Sequence, residues 1–536
     1  MLARALTHAL VGLEARPVEV EAHLQRGVPG FSIVGLPDKA CQEAKERVRS
    51  GIASAELEWP LRRITVNLAP AGLRKEGSGF DLPIALAILA ASRQVPPERL
   101  AEHAALGELA LDGRVRPVPG ALVAAEAARR ASVSRLLCPR ESAPEAALAG
   151  IEPVPVRHLA EARAYLRGTF EPPEVEPIRR SANGRQPDLR EVRGQERARR
   201  ALELAAAGRH NLLLAGPPGT GKTMLARRLP GILPALTLEQ ALEVTRIHSV
   251  AGILPPGQPL LDRPPFRAPH HTASTAAIVG GGSGPRPGEA SLAHQGVLLL
   301  DELGEFHRPA LEALRQPLED GFVAISRVQG QCIFPAHIRL VGTMNLCPCG
   351  ARGDPAAECS CSPQRLTAYR DKLSRALLDR IALVVQMPRE RSREWNRGAR
   401  EGSAAVRARV VGRHSMPSDE DLLLSGDPED FGLFYDRYVD MLLGYFARRV
   451  HDPEIAADLT AETFAAALVA RRRFRRAKTP AVAWLFGIAQ HKLADYRRRG
   501  AAEDRMRHRL GGLVQRIFVT FAQRHVSPFR SADRCL

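Results

Sequence analysis

His210–Leu225 reads HNLLLAGPPGTGKTML: an apolar run, a glycine-rich turn, then residues suited to open a helix. The spacing from Gly216 through Pro217, Pro218, Gly219, Thr220 and Gly221 to Lys222 and Thr223 is that of a phosphate-binding loop. Glycines let such a loop turn tightly, so that its backbone N–H groups face phosphate oxygens, and the following helix start adds a favourable dipole. Lys222 is placed to reach the outer phosphates of ATP, and the Thr223 hydroxyl to ligate Mg²⁺. The spacing predicts a strand–loop–helix unit at the heart of an α/β domain.

Further along lies a second apolar run, GVLLLDELGEF (296–306), ending in Asp301 and Glu302. An acid pair after a buried strand suits Mg²⁺ ligation by Asp301 and activation of the attacking water by Glu302 as general base. A third run, IRLVGTMN (338–345), ends in Asn345, a polar group able to orient that water. LLDRIALVV (377–385) carries Arg380, which in a ring of subunits can stabilise transition-state charge on a neighbour's nucleotide. The predicted catalytic set is therefore Glu302, Asn345 and Arg380.

FRAPHHTASTAAIVGGG (266–282), PRPGEASLAHQGVLLLDELGEF (285–306) and GTMNLCPCG (342–350) resemble the magnesium-chelatase-like AAA+ ATPases, and more narrowly the YifB/ComM subfamily. FSIVGLPDKACQEAKERVRSGI (31–52) and LRKEGSGFDLPIALAIL (73–89) resemble its N-terminal domain, so the likeness spans residues 1 to about 410. It implies a hexameric ring ATPase, and ComM-type members drive branch migration of DNA during uptake and recombination. Two departures bear on hydrolysis and ring coupling. Ala382 stands where the family usually has Asp, and the helical lid expected after residue 410 is not recognisable.

The family's N-terminal domain is similar to the proteolytic domain of Lon proteases, which needs a Ser–Lys dyad. In RKEGSGFDL (74–82) the nucleophile position is Gly79, with Ser78 one residue away; in GELALDGRVRPVPGALVAA (107–125) the lysine position is Leu122. Neither Gly nor Leu supports peptide hydrolysis, so a binding or assembly role is expected.

The length of 536 residues suggests about three domains. Their expected bounds are an α+β Lon-like domain at 1–167, a Pro-rich linker at 168–187 and the α/β AAA+ core at 188–390. A second linker at 391–425, an all-α segment at 426–510 and an unassigned tail at 511–536 complete the chain. A hydrophobic fraction of 45% and a charged fraction of 25% are those of a soluble globular chain. No apolar run approaches the ~18 residues that suggest a membrane span, and the N-terminus is too charged for a secretory signal, so the cytoplasm is expected.

Four of the eight cysteines crowd into one short loop, as Cys347-Pro-Cys349 and Cys359-Ser-Cys361. Such a loop either encloses a tetrahedral Zn²⁺ or holds four reduced thiols; its C-x-C pairs are tighter than the commoner C-x-x-C knuckle.

Lys and Arg outnumber Asp and Glu by 76 to 59, a net charge of +17 that suits an anionic partner, nucleic acid above all. Residues 471–509 hold thirteen Lys or Arg against three acids. Before them, Phe431, Phe434, Tyr435, Tyr438, Leu442, Tyr445 and Phe446 fall at helical spacing. FYDRYVDMLLGYFARRV (434–450), DPEIAADLTAETFAAAL (452–468) and AWLFGIAQHKLADYRRR (483–499) resemble region 2 of extracytoplasmic-function sigma factors. That likeness implies contact with RNA polymerase and with the melted promoter −10 element. Arg471, Arg472, Arg473, Arg475, Arg476, Lys478, Arg497, Arg498 and Arg499 are candidate phosphate contacts. Trp484 and Phe486 suit either stacking on an unpaired base or packing in the helical core. The −35-reading domain usual in these factors is not recognisable in residues 508–536.

Three functions fit. They are a ComM-type DNA-processing ATPase with a basic appendage, a transcription initiation factor with a passenger ATPase, and a metal-insertion chelatase subunit. The Lon-like domain argues against the last. A lidless ATPase joined to half a sigma factor is either a true fusion or the product of a gene rearrangement, a frameshift or an assembly error.

Overall fold

The computed structural model describes residues 1–175, 186–282, 285–327, 330–389, 401–414, 419–425, 428–450, 452–475 and 480–507. Arg476, Lys478, Thr479 and the 511–536 tail lie outside the described residues, as do the side chains of Arg497 and Arg499. The chain divides into two compact units, Met1–Arg413 and His414–Leu536.

The first unit opens on a seven-stranded mixed sheet. Its strands are β1 (Leu2–Val11), β2 (Glu14–Gln25), β3 (Gly30–Val34), β4 (Arg63–Ala69), β5 (His103–Ala105), β6 (Arg135–Pro139) and β7 (Glu152–Val156), in spatial order β3-β4-β2-β1-β5-β6-β7. Alternation sets the buried face: Val18, Val20, Ala22 and Leu24 of β2, and Ile64, Val66 and Leu68 of β4, all point inward. The helix Asp81–Ala91 is buried along its whole length, as the unbroken apolar run LPIALAILAA requires. Its first residue is a buried carboxylate, held by Arg47 through Nε at 2.6 Å and Nη2 at 3.0 Å and by the Leu109 N–H at 3.1 Å. Burial raises the Asp81 pKa, and the Arg47 guanidinium works against that rise.

The second sheet is wholly parallel. Its strands are β8 (Leu212–Ala215), β9 (Phe266–Arg267), β10 (Val297–Leu300), β11 (Arg339–Met344) and β12 (Leu383–Gln386), in order β9-β10-β11-β8-β12. β11 thus lies between the phosphate-loop strand β8 and the acid-bearing strand β10. All four residues of β8 and of β10 are buried, as expected of inner strands in a parallel sheet.

Helix Leu238–Ala251 joins the two sheets' domains. A Thr237–Gln240 capping box starts it, and Gly252 ends it in the left-handed conformation. Its Arg246 pairs with Glu126 at 2.7 Å, the Ser249 carbonyl accepts from the Gly120 N–H at 3.0 Å, and the Ser249 hydroxyl donates to Glu145.

The stretch expected to be a linker at 391–425 holds two helices, Ser403–His414 and Asp419–Leu424, while 391–400 lies outside the described residues. The first packs on the parallel-sheet domain: Val406 and Val410 enter its core, the Ser403 hydroxyl accepts from the Leu189 N–H at 2.8 Å, and Arg407 donates to the Gly231 carbonyl at 2.8 Å. Its arginines gave it a linker-like composition, yet two valines four residues apart are enough to anchor one helical face.

The second unit is helical, built on Asp419–Leu424, Pro428–Val450, Pro453–Ala470 and Ala481–Arg507. Phe431, Phe434, Tyr438, Leu442 and Phe446 form its buried seam, joined by Phe464, Leu485 and Ala489. The Asp452 carboxylate caps the third helix, accepting from the Glu454 and Ile455 N–H groups at 2.9 and 3.2 Å, with Pro453 in the first turn.

Among the described residues, no helix is long and apolar enough to cross a membrane.

Candidate functional site

The carboxyl ends of β8, β10 and β11 bring the predicted residues together. Gly216 leaves β8 with its N–H on the Met344 carbonyl, at 3.1 Å. A Cβ at Gly216 would stand 2.3 Å from the Met387 carbonyl oxygen, so only glycine fits there. Gly219 and Gly221 take left-handed φ angles of +78° and +85°. The loop then enters a short helix at Lys222.

Lys222 Nζ donates to the Gly216 and Pro217 carbonyls, both at 2.8 Å, and to Asn345 Oδ1 at 3.1 Å. Its three N–H bonds are thereby filled. Burial lowers its pKa, and the carboxylates of Asp301 and Glu302 act in the opposite direction. Thr220 folds back on the Pro217 carbonyl at 3.0 Å.

Asp301 Oδ1 accepts from the Thr223 hydroxyl at 2.8 Å and from the Thr343 hydroxyl at 2.5 Å. The Thr343 oxygen in turn accepts from the Glu302 N–H at 3.0 Å. Glu302 itself sits at φ +56°, a left-handed conformation that costs a non-glycine residue about 1–3 kcal/mol and is concentrated at functional sites. Thr343 is 1% exposed and holds both acids of the pair. Sequence reasoning missed it: inside IRLVGTMN it reads as one more strand residue, and its partners belong to a different strand.

The donor set fits the expected ligands. Thr223 and Asp301 offer two hard oxygens 2.8 Å apart, the kind of ligand that Mg²⁺ prefers. Lys222 offers a cation whose present acceptors are neutral oxygens.

Arg380 lies apart from this cluster. It donates from Nε and Nη2 to Glu319 Oε1 at 3.0 and 2.6 Å, with its side chain 46% exposed.

Directly after Asn345 comes the cysteine loop. The Sγ atoms of Cys347, Cys349, Cys359 and Cys361 all lie within 4.8 Å of one another. Cys347–Cys349 is 3.3 Å, and Cys349–Cys359 and Cys347–Cys359 are each 3.6 Å. A tetrahedral zinc with Zn–S bonds of about 2.3 Å needs S···S separations of about 3.8 Å, so small outward shifts admit the ion.

In the N-terminal domain, Leu122 is fully buried, a Cβ on Gly79 would meet Leu106 at 3.1 Å, and the Ser78 hydroxyl donates to Glu108. In the helical unit, Arg472, Arg473, Arg475 and Arg498 are exposed, and Arg498 pairs with Asp495. Arg471 is half-buried, its guanidinium 5.9 Å from the centre of the Phe431 ring. Trp484 is half-buried, with its ring 5.3 Å from that of Phe474; Phe486 packs at 5.2 Å on Tyr445. Both aromatics therefore take part in core packing.

Residues 188–395 match the family model described as magnesium chelatase, subunit ChlI, and residues 20–142 match a model of subunit ChlI of Mg-chelatase. Residues 434–503 match sigma-70 region 2. The chain is similar to a Mycobacterium tuberculosis protein, with 48% identity over 412 residues, covering 76% of this chain and 82% of the other. It is also similar to YifB of Salmonella typhimurium, with 44% identity over 419 residues, 77% and 81% of the two chains. The competence protein ComM of Haemophilus influenzae shares 44% over 418 residues, 76% and 81% of the two. With a nucleotide-type site on a parallel sheet, and relatives this similar over most of their own length, the chain belongs to the magnesium-chelatase-like YifB/ComM family of ATPases, and it carries a sigma-70 region 2 segment at its C-terminal end.

Proposed function

We propose that this chain is an ATP-hydrolysing motor that acts on DNA in recombination during competence, with a nucleic-acid-binding helical appendage. The observation that carries the reading is the convergence of Lys222, Thr223, Asp301, Glu302 and Asn345 at adjoining strand ends. Lys222 and the loop N–H groups hold the phosphates, and Thr223 with Asp301 holds Mg²⁺, which neutralises phosphate charge when bound. Glu302 takes the proton of the attacking water, and Asn345 orients that water. Arg380 serves a neighbouring subunit of a homo-oligomeric ring, a role its exposed position suits. Zn²⁺ is held by the four thiolates, and the N-terminal domain is a Lon-like fold retained for binding or assembly without peptidase activity. DNA is the partner, and the similarity to the competence protein ComM supports the link to competence.

The test is ATP turnover by the full-length chain, with and without branched or single-stranded DNA. Turnover that rises with DNA is the expected result; turnover indifferent to every DNA would remove the DNA-motor reading.

The match to sigma-70 region 2 favours a second reading, a transcription initiation factor that docks on RNA polymerase and carries the ATPase as a passenger. Co-purification with core RNA polymerase, unaffected by Lys222→Ala, is its signature.

A further inference from the structure

We infer that the four-thiol loop is a strut of the nucleotide site, so that metal bound at the thiols sets how tightly ATP is held. The inference rests on the zinc and ATP readings above and adds a coupling between them. Two separate contacts carry it. Gly350, between the two cysteine pairs, lies against the phosphate loop: a Cβ there would stand 2.9 Å from Pro218 Cγ. Its φ of +80° is one that only glycine adopts freely. On the far side, Asp354 accepts from Arg389 at 3.0 Å, and Arg389 Nη2 comes within 3.8 Å of where a Cβ on Gly219 would sit. The loop thus touches the phosphate loop at Pro218 and approaches it again, through Arg389, at Gly219.

The loop is also continuous with the site. Cys347 is fully buried and two residues beyond Asn345, whose Oδ1 accepts from Lys222. The Gly350 N–H closes a turn on the Cys347 carbonyl at 3.1 Å, and the Arg352 N–H points at Cys347 Sγ at 3.3 Å. Residues 347–361 form no regular secondary structure. A closed four-sulfur zinc centre contributes folding energy directly, and here it is what fixes a loop that a sheet ladder does not. Without the ion nothing ties the four sulfurs, which lie within 4.8 Å of one another, and the loop is free to spread. Pro218 and Asn345 then lose their backing together.

The experiment measures zinc content by elemental analysis and affinity for a fluorescent ATP analogue, both on the full-length chain. Three samples are compared: wild type, the Cys359→Ser/Cys361→Ser double variant, and Gly350→Ala. The double variant is expected to lose zinc and to bind nucleotide about tenfold more weakly, the scale of coupling between packed neighbours. Gly350→Ala keeps all four thiols, so it is expected to retain zinc yet weaken nucleotide binding, because its methyl group presses on Pro218. It guards against the double variant simply losing local structure. Nucleotide affinity that is unchanged in either variant overturns the coupling. A wild-type chain that neither holds nor takes up zinc overturns the zinc reading while leaving the ATP reading standing. Wild type that holds zinc but binds no nucleotide overturns the ATP reading instead.

Discussion

Lys222 Nζ donates to Asn345 Oδ1 across 3.1 Å, so the phosphate-loop lysine and the polar residue ending β11 are already joined. The other two Lys222 protons go to loop carbonyls. An arriving phosphate must take over at least one of these three bonds, exchanging a neutral acceptor for an anionic one. Charge-assisted bonds are about twice as strong as neutral ones, so the exchange favours phosphate. Lys222→Ala removes the cation and is expected to weaken ATP binding by about 100-fold, near two charged hydrogen bonds. Titration of a fluorescent ATP analogue checks this. Binding of promoter-like DNA by residues 428–510 should survive the same change; if both fail together, the ATPase and helical segments do not act as separate modules.

Thr343 holds Asp301 through its proton and Glu302 through its oxygen. Thr343→Val keeps the shape and removes both bonds. Turnover should fall about 10- to 100-fold, as small misplacements of reacting groups do, while ATP affinity stays near wild type. Thr343→Ser restores the hydroxyl and should restore most of the rate. A Val variant that loses affinity and rate in equal measure would argue for a merely structural threonine.

The strand ends that carry Gly216–Thr223, the Asp301–Glu302 pair and Asn345 were legible because each signal is local: an apolar strand followed at once by a glycine turn or a polar residue. Thr343 was hidden because its meaning depends on β11 lying beside β10, a fact of sheet order and not of spacing. Helix Ser403–His414 was hidden because four arginines or histidines mask the Val406/Val410 face. The Glu126–Arg246 pair joins residues 120 positions apart, and no pattern along the chain foretells such a tie. In the helical unit, the Phe434–Phe446 seam followed from periodicity alone. The place of Trp484 did not, since a half-buried indole suits a core and a base-stacking surface equally well.

Asp81 is fully buried as a side chain and faces Arg47 at 2.6 Å. Arg47→Ala leaves that carboxylate without its cation, which should cost about 3–5 kcal/mol at neutral pH. The sign of the pH effect follows from burial. Asp81 already has a raised pKa, and loss of Arg47 raises it further. The penalty is therefore complete above the raised folded pKa and shrinks as pH falls towards the unfolded value, because the native state then takes up the proton. Urea unfolding of both proteins between neutral and mildly acidic pH should show their stabilities converging. A gap constant with pH would mean that the loss comes from the Arg47 side chain's packing and not from the stranded charge.

Arg472, Arg473, Arg475 and Arg498 are exposed on the helical unit, where Arg498 pairs with Asp495. Exposed guanidinium groups bind DNA by displacing condensed counterions, so affinity falls with salt in proportion to the phosphates neutralised. Changing Arg472, Arg473 and Arg475 together to Gln removes three such contacts. The slope of log affinity against log salt should become shallower by about 2–3, at roughly 0.9 per duplex phosphate or 0.7 per single-strand phosphate. Helical content should not change, since none of the three side chains enters the Phe434–Leu485 core. Fluorescence anisotropy with a labelled duplex and with its single strand, at low and moderate salt, gives both slopes. A slope unaltered by the triple change would place the DNA-binding surface elsewhere on the chain.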